Sequence, residues 1–357
     1  MRRALTFVLL TLGVFNIALG LLLRFYAYPR LAVAPLDPGV SLVATGNATV
    51  FYPAMLEMRQ NVPVTTTIRV RGKIDAPEVQ INGSVAVWDI GQVTEDDTGA
   101  LVDAQDQWVC VDRRTGMAVQ PCSEEKTNGD TGIHATGLQL KFPFNTGRQD
   151  YAFYDAAARM ALPMRYDGDE TIDGLPVYRF VQTVPVMKIA EVKAPVSLVG
   201  GTGNRTVTAA RMYEASRTYW VEPYTGQIVK ARQMVHQFLR GPNGQNGQTL
   251  FDGTFNVANA SVQASVDKAK SDSSKVQLLY DSGPRLLLIA GTGLLFTGVA
   301  LLVSQRRRRR RLAARSFLTQ EWTDEWDSEP PSYAVLSRQD TVAMERQAAP
   351  ATLEHHR

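Results

Sequence analysis

The sequence predicts an α+β, mainly β fold, with a single large extracytoplasmic domain between N- and C-terminal transmembrane helices. Two observations place the helices. Ala4–Leu23 and Leu286–Val303 are uncharged apolar stretches towards opposite ends of the 357-residue chain. An apolar helix of about 18 to 20 residues is long enough to cross the roughly 30 Å hydrocarbon layer of a bilayer. A third observation sets the character of the part between them. Thr65–Arg71 alternates, Ser84–Trp88 is a short β-rich run, and turn residues recur between such segments.

Charge orients the chain. Arg306–Arg311, six consecutive arginines, follow the second apolar stretch after only Ser304 and Gln305. Arginine is unfavourable in lipid and accumulates on the cytoplasmic side, so both termini are expected inside and the central domain outside a plasma membrane. The first stretch is longer than the apolar core of a signal peptide, about 7 to 15 residues, and Pro35 follows the small-residue stretch Ala32-Val33-Ala34. A retained signal anchor over 1–29 is therefore expected. The outer domain then occupies 30–284, with a helix at about 260–280. A second span over 285–304 leads into a basic, then acidic, disordered cytoplasmic tail over 305–357. The formal charge of +3 averages this basic patch against the acidic tail, so it implies no nucleic-acid partner. Anionic lipid headgroups suit the arginines better.

Within the first span, Asn16 is expected to bond a partner helix, because an unpaired amide in lipid is unfavourable. Gly13 and Gly20, and Gly291 and Gly298, are each seven residues apart and place small residues on one face of each helix. Tyr26, Tyr28 and Pro29 mark the interface, and Pro35 and Pro38 an extended exit. Three segments, Thr98–Val102, Thr115–Val119 and Thr225–Val229, share the pattern Thr-Gly-x-apolar-Val, the last two preceded by Val111-Asp112 and Val221-Glu222. Each reads as a turn whose glycine takes positive φ. Cys110 and Cys122 flank the second copy, and two cysteines in an oxidising compartment favour a disulfide. Aromatic residues then gather: Phe142, Phe144, Tyr151, Phe153, Tyr154, Tyr178 and Phe180, lining either a ligand pocket or the core. Val262, Val266, Ala269, Ser273, Val276 and Tyr280 recur at helical spacing. Gly283-Pro284 is expected to end that helix before the second span.

No catalytic chemistry emerges. No zinc-type His-x-x-x-His pair and no Gly-x-Ser-x-Gly elbow occurs. Asp167, Asp169, Glu170 and Asp173 lack the glycine that an EF-hand loop needs, because Ile172 stands there. Gly200–Gly203 lacks the lysine of a phosphate-binding loop. Neither catalytic residues nor a metal or cofactor is expected.

Several motifs in order, between the two spans, carry a family resemblance. They are Pro35-Leu36-Asp37-Pro38, Phe142-Pro143-Phe144 with Tyr151 and Tyr154-Asp155, Gly174–Phe180, and Trp220–Gly226. With them the chain resembles the actinobacterial porin PorA family over about residues 1–310. The family name implies a pore, but a membrane β-barrel has no helical spans, and two apolar helices line a wide channel only when several copies assemble. The resemblance also implies a role in assembling envelope lipids and lipoglycans. The expectation drawn is a non-catalytic envelope protein that binds or hands on an acyl lipid or glycolipid, alongside envelope transport or synthesis proteins. The alternatives are an oligomeric porin-like channel and a scaffold for envelope biosynthesis enzymes.

Overall fold

The computed structural model describes residues 2–203 and 205–326, so the acidic part of the expected tail, from 327 on, lies outside the described residues. Two meanders build the β region. The first contains β1 (Val40–Tyr52), β2 (Glu57–Gly72), β3 (Val85–Asp96), β4 (Leu101–Asp112) and the two-residue β5 (Lys126–Thr127). The second contains β6 (Tyr151–Asp155), β7 (Met160–Ile172), β8 (Leu175–Pro195), β9 (Thr206–Glu222), β10 (Gln227–Arg240) and β11 (Asn246–Val257). Antiparallel pairing of β1 with β11 joins them into one 11-stranded sheet whose outermost strands are β5 and β6.

This sheet rolls into a half-barrel. Arg211 of β9 reaches within 4.0 Å of Asp103 of β4, although five strands separate them in the sheet order. Val50, Val62, Val184, Tyr213, Val235 and Phe251, from six different strands, pack in one cluster. Ala157 and Ala158, in the turn between β6 and β7, pack against it. Near one end, isolated bridges carry pairing from β4 to β6: Val111 with Ala118, Met117 with Leu138, and Leu138 with Phe153. Towards the other end β8 outruns β7, whose ladder with it stops at Gln182. Pleating sorts each strand by period two. On β9, Arg211, Tyr213, Ala215 and Arg217 share the inner face. Trp220 on the outer face packs with Val262, Val266 and Ala269, as the helical spacing of these residues predicted.

Those three residues lie on α4 (Asn259–Gln277). The remaining helices are α1 (Arg2–Leu22), α2 (Tyr28–Leu31), the short α3 (Pro77–Ile81) and α5 (Gly283–Trp326). Helical spans including α1 and α5, Arg3–Leu31 and Asn259–Leu312, are long and apolar enough to cross a membrane. The expected break at Gly283-Pro284 does not occur, and Tyr28-Pro29 does not end the first helix. A π turn precedes each proline, Leu23–Ala27 before Pro29 and Leu278–Ser282 before Pro284. Proline has no N–H to give the carbonyl four residues back, and its ring crowds that carbonyl. A wider turn relieves both problems without ending the helix. Gly283 is required there: a Cβ would lie 2.3 Å from the Leu278 oxygen. Where the tail was expected to be disordered from 305, α5 continues through the arginines, which are good helix formers, to Trp326.

Two compact units are distinguished, Val8–Leu295 and the set of Met1–Phe7 with Phe296–Arg357. Inside the first, the glycine faces meet. A Cβ on Gly13 would lie 2.8 Å from Leu295 Cγ and 3.0 Å from the Gly291 oxygen, and one on Gly291 would lie 2.7 Å from Ile17 Cγ1. Gly20 packs against Pro284 and Leu287. Asn16 does not need a partner helix for its amide N–H, since Nδ2 donates to the Leu12 oxygen of its own helix at 2.8 Å. Inside the second unit, Gln305 Nε2 donates to Thr6 Oγ1 at 2.9 Å. The disulfide forms between Cys110 and Cys122, with Cα atoms 5.7 Å apart. Cys110 is fully buried and packs with Ala76 and Val79 around α3.

Candidate functional site at the junction of sheet and helices

The seven aromatic residues separate into three settings. Phe142, Phe153 and Phe180 are buried together with Leu138, Met164 and Val221. Their rings pack closely, with Phe142 and Phe180 centroids 4.5 Å apart, and Tyr151 and Tyr178 cover the outside of the cluster. Phe144 stands apart, half-buried beneath the Lys141 ammonium at 4.3 Å. Tyr154 belongs to a different cluster, with Trp88, Val109 and Val111. Tyr178 also borders a groove of about 550 Å³, together with Arg148, Glu170, Glu222, Tyr224 and Gln277.

The groove wall contains Asp169 and Glu170 of the acidic cluster, and both are paired. Arg148 bonds Asp169 at 2.6 Å and lies over the Tyr178 ring. Arg179 pairs with Asp167 at 2.8 Å and with Glu170, which also accepts from Trp220 Nε1 at 2.6 Å. Among the described residues no group of three or more His, Cys, Asp or Glu is placed to hold a metal ion.

Two of the three Thr-Gly turns, those at Thr115 and Thr225, lie against the segment Lys141–Pro143, and the turn at Thr98 lies at the other end of β4. In each copy a carboxylate caps its own turn: Asp96 accepts from Thr98, Asp112 from Thr115, and Glu222 from Thr225. The glycine N–H then bonds the carbonyl of that same acid, at 3.0, 2.8 and 2.9 Å. All three glycines have positive φ, as the pattern predicted. The last copy also carries the loop that follows Lys141. Phe142, Asn145 and Thr146 donate their backbone N–H groups to Gly226, Tyr224 and Pro223. Burial pushes the Glu222 carboxyl up, against the pull of the turn N–H groups and the Thr225 hydroxyl.

Lys141 is the one cation in this loop that burial displaces strongly. Its Nζ donates to the Phe142 oxygen at 2.6 Å, and burial pushes its pKa down from 10.5 to about 7, with Asp112 opposing. Between those values the unfolded chain binds a proton that the folded chain does not. Stability therefore rises as pH increases from about 7 to about 10.5 and is lowest below that window. Melting temperatures of the wild type and Lys141→Met across this range test the point. The wild type should gain relative to the variant with rising pH, and parallel curves would refute the assignment.

Asn145 links the loop to the helices. Its Nδ2 donates to the Tyr280 hydroxyl at 2.7 Å, and Tyr280 packs on Tyr28 with centroids 4.7 Å apart. The Tyr280 carbonyl is the one an α-helix would have bonded to residue 284, which is proline. Arg24 supplies the missing donor: Nη1 bonds that oxygen at 2.5 Å, and the guanidinium lies 3.4 Å from the Tyr280 ring centroid. Arg114, from the second Thr-Gly turn, lies over Tyr28. Two helices, two turns and one loop thus meet at a single tyrosine pair.

A half-barrel sheet joined through such a junction to two glycine-packed apolar helices defines a membrane-associated β protein. Comparison with known proteins makes the class specific. The chain belongs to the porin PorA family, whose sequence model matches residues 5–300. A protein named Porin PorA from Corynebacterium resistens is 26% identical over 286 residues, covering 59% of this chain and 69% of that one. Another of the same name, from Corynebacterium amycolatum, is 24% identical over 302 residues, covering 67% and 78%. Among solved structures, a putative MaoC domain protein dehydratase from Chloroflexus aurantiacus J-10-fl covers 69% of this chain and 80% of its own at 12% identity. Its TM-score is 0.17, and no argument rests on it. The relatives overturn the lipid- or glycolipid-carrier expectation, because they are named porins. The alternative of a porin-like channel is the one they favour.

Proposed function

We propose that this chain is a channel-forming membrane protein in which several copies assemble, each contributing its two helices to a shared aqueous path. The observation that carries this reading is the family match over residues 5–300, which takes in both apolar helices and the whole sheet. Assembly is part of the proposal for a physical reason. Two helices packed glycine to glycine leave no lumen between them, and apolar side chains such as Val50, Val62, Val184 and Phe251 fill the inside of the half-barrel. An aqueous path therefore needs more than one copy. In the same reading the helices are two membrane passes, 1–29 and 285–304. The sheet lies outside the plasma membrane and both termini inside, as the arginines after the second pass favour. The aromatic residues Phe142, Phe153 and Phe180 serve as the packed base on which the junction stands. The family describes a porin and not an enzyme, and no catalytic role is assigned.

Purified full-length chain in a planar lipid bilayer should produce discrete conductance steps, with a steep dependence on protein concentration that reports assembly. A bilayer that stays silent at protein concentrations where light scattering or crosslinking shows stable oligomers would count against the proposal.

A further inference from the structure

On the reading above that the two helices are membrane passes, we infer that the segment Lys73–Ser84, between β2 and β3, rests on the headgroup layer of the same membrane. Ile74 and Ile81 reach into that layer. The segment contains α3, whose Ala76 and Val79 are buried with Val85, Val87 and Cys110. Ile74 and Ile81 stay outside that packing, 57% and 85% exposed. Ile81 is more exposed than any large apolar side chain of the two apolar helices among the described residues. A single exposed apolar residue on a protein surface needs no explanation. What singles out these two is where they are held.

Both ends of the segment are tied to the chain where it leaves the first helix. Arg113 donates from Nε to the Ala34 oxygen and from Nη1 to the Gly83 oxygen, each at 2.6 Å, so one guanidinium bridges the two. At the other end the Gly72 N–H bonds Asp37 Oδ1 at 2.8 Å, and a Cβ on Gly72 would lie 2.0 Å from the Leu36 oxygen. Ala34 follows closely on Leu31, where the apolar helical span Arg3–Leu31 ends. At about 1.5 Å per residue the 29 residues of that span run roughly 40 Å, more than the roughly 30 Å hydrocarbon layer, so its last turns stand among the headgroups. The two isoleucines are therefore held beside the edge of the bilayer. Apolar burial drives the contact, not charge. Lys73, the one cation of the segment, pairs with Glu124 at 2.9 Å, and Glu78 accepts from the Ser123 N–H and hydroxyl. Asp75 is exposed, which disfavours an anionic surface. With this third point of contact the sheet no longer swings freely about the two helices.

The test places a fluorescent nitrobenzoxadiazole label on full-length Ile81→Cys, Leu31→Cys and Leu56→Cys, each reconstituted into phosphatidylcholine vesicles. Quenching is then read with a lipid that carries a nitroxide near its headgroup. Cys110 and Cys122 are joined to each other, so the introduced thiol takes the dye. Leu56 is the control: it is 61% exposed in the turn after β1, a 13-residue strand or roughly 40 Å from the helix end. Quenching at Ile81 should be at least half of that at Leu31, while Leu56 stays unquenched, and anionic lipid should not raise it. A dye at Ile81 no more quenched than the one at Leu56, with Leu31 quenched, overturns the contact and leaves the membrane passes standing. Quenching at Ile81 that needs anionic lipid overturns it as well. A dye at Leu31 beyond reach of the nitroxide overturns both the passes and the contact.

Discussion

Replacing Arg217 with methionine should lower stability by about 3 to 5 kcal/mol, the usual cost of leaving one member of a buried ion pair alone. Arg217 on β9 pairs with Asp155 at the end of β6, with side chains 10% and 0% exposed. The network around them is complete. Tyr213 donates to Asp155 at 2.9 Å, Arg217 donates to Tyr213 at 2.8 Å and to Gln182 at 3.0 Å, and Ala158 N–H bonds the other Asp155 oxygen at 2.7 Å. Burial between a carboxylate and a cation pushes the Tyr213 hydroxyl well above its ordinary value. Without Arg217, the buried Asp155 carboxyl loses its charge partner, and the turn carrying Ala157 and Ala158 loses its fixed point. Asp155→Asn added to Arg217→Met should restore much of the loss, because the neutral amide no longer needs a cation. Thermal and denaturant unfolding of the three forms in detergent decide this. A loss under about 1 kcal/mol for the single variant would mean that water reaches the pair.

A second large effect is expected at Gly226. Its φ of +71° already disfavours a side chain, and a Cβ there would lie 2.1 Å from the Phe142 oxygen and 2.5 Å from the Pro143 oxygen. Both obstacles are backbone, so neither swings aside. Gly226→Ala should therefore push the loop off the turn and strain or break its three backbone hydrogen bonds. Strain of about 1 to 3 kcal/mol adds to about 1 kcal/mol for each bond lost, for a total of roughly 3 kcal/mol or more. Gly99 is the internal comparison. It occupies the same place in the first Thr-Gly turn with φ +80°, but nothing lies within 4 Å of the site of its Cβ, so Gly99→Ala should show the conformational strain alone. Equal losses at the two positions would show that the loop yields.

The contrast between these two glycines also marks what could be read in advance. Positive φ at both follows from the local pattern of Thr, Gly and a preceding acid, which acts within five residues. The helical spans, the stripe of α4 and the cystine are similarly local, set by periodicity, length or spacing. The half-barrel is not, because it rests on contacts between strands far apart in the sequence, such as Arg211 with Asp103, and on isolated bridges through Leu138 in an otherwise irregular segment. Nor could the partner of Arg24 be foreseen. It is a carbonyl 256 residues away, freed only because Pro284 fails to donate and the helix widens instead of ending. Aromatic crowding around residues 142–180 was visible, yet pocket and core have the same composition. Their difference is a matter of packing, which places Phe142 and Phe180 at 0% exposure.

The stretch of β8 beyond Gln182 has a consequence for how copies meet. On the side away from β9 this stretch has no ladder partner among the described pairings, which would make it a template for the same strand in a neighbouring molecule. Its composition works against that use. Pro185 and Pro195 lack the amide hydrogen a ladder needs, and Lys188, Glu191 and Lys193 put charge along the strand. Crowded molecules are thus discouraged from zipping into a continuous sheet through this strand. In the channel proposed above, contacts between copies would then fall to the helices, an arrangement that favours a closed ring over a fibre.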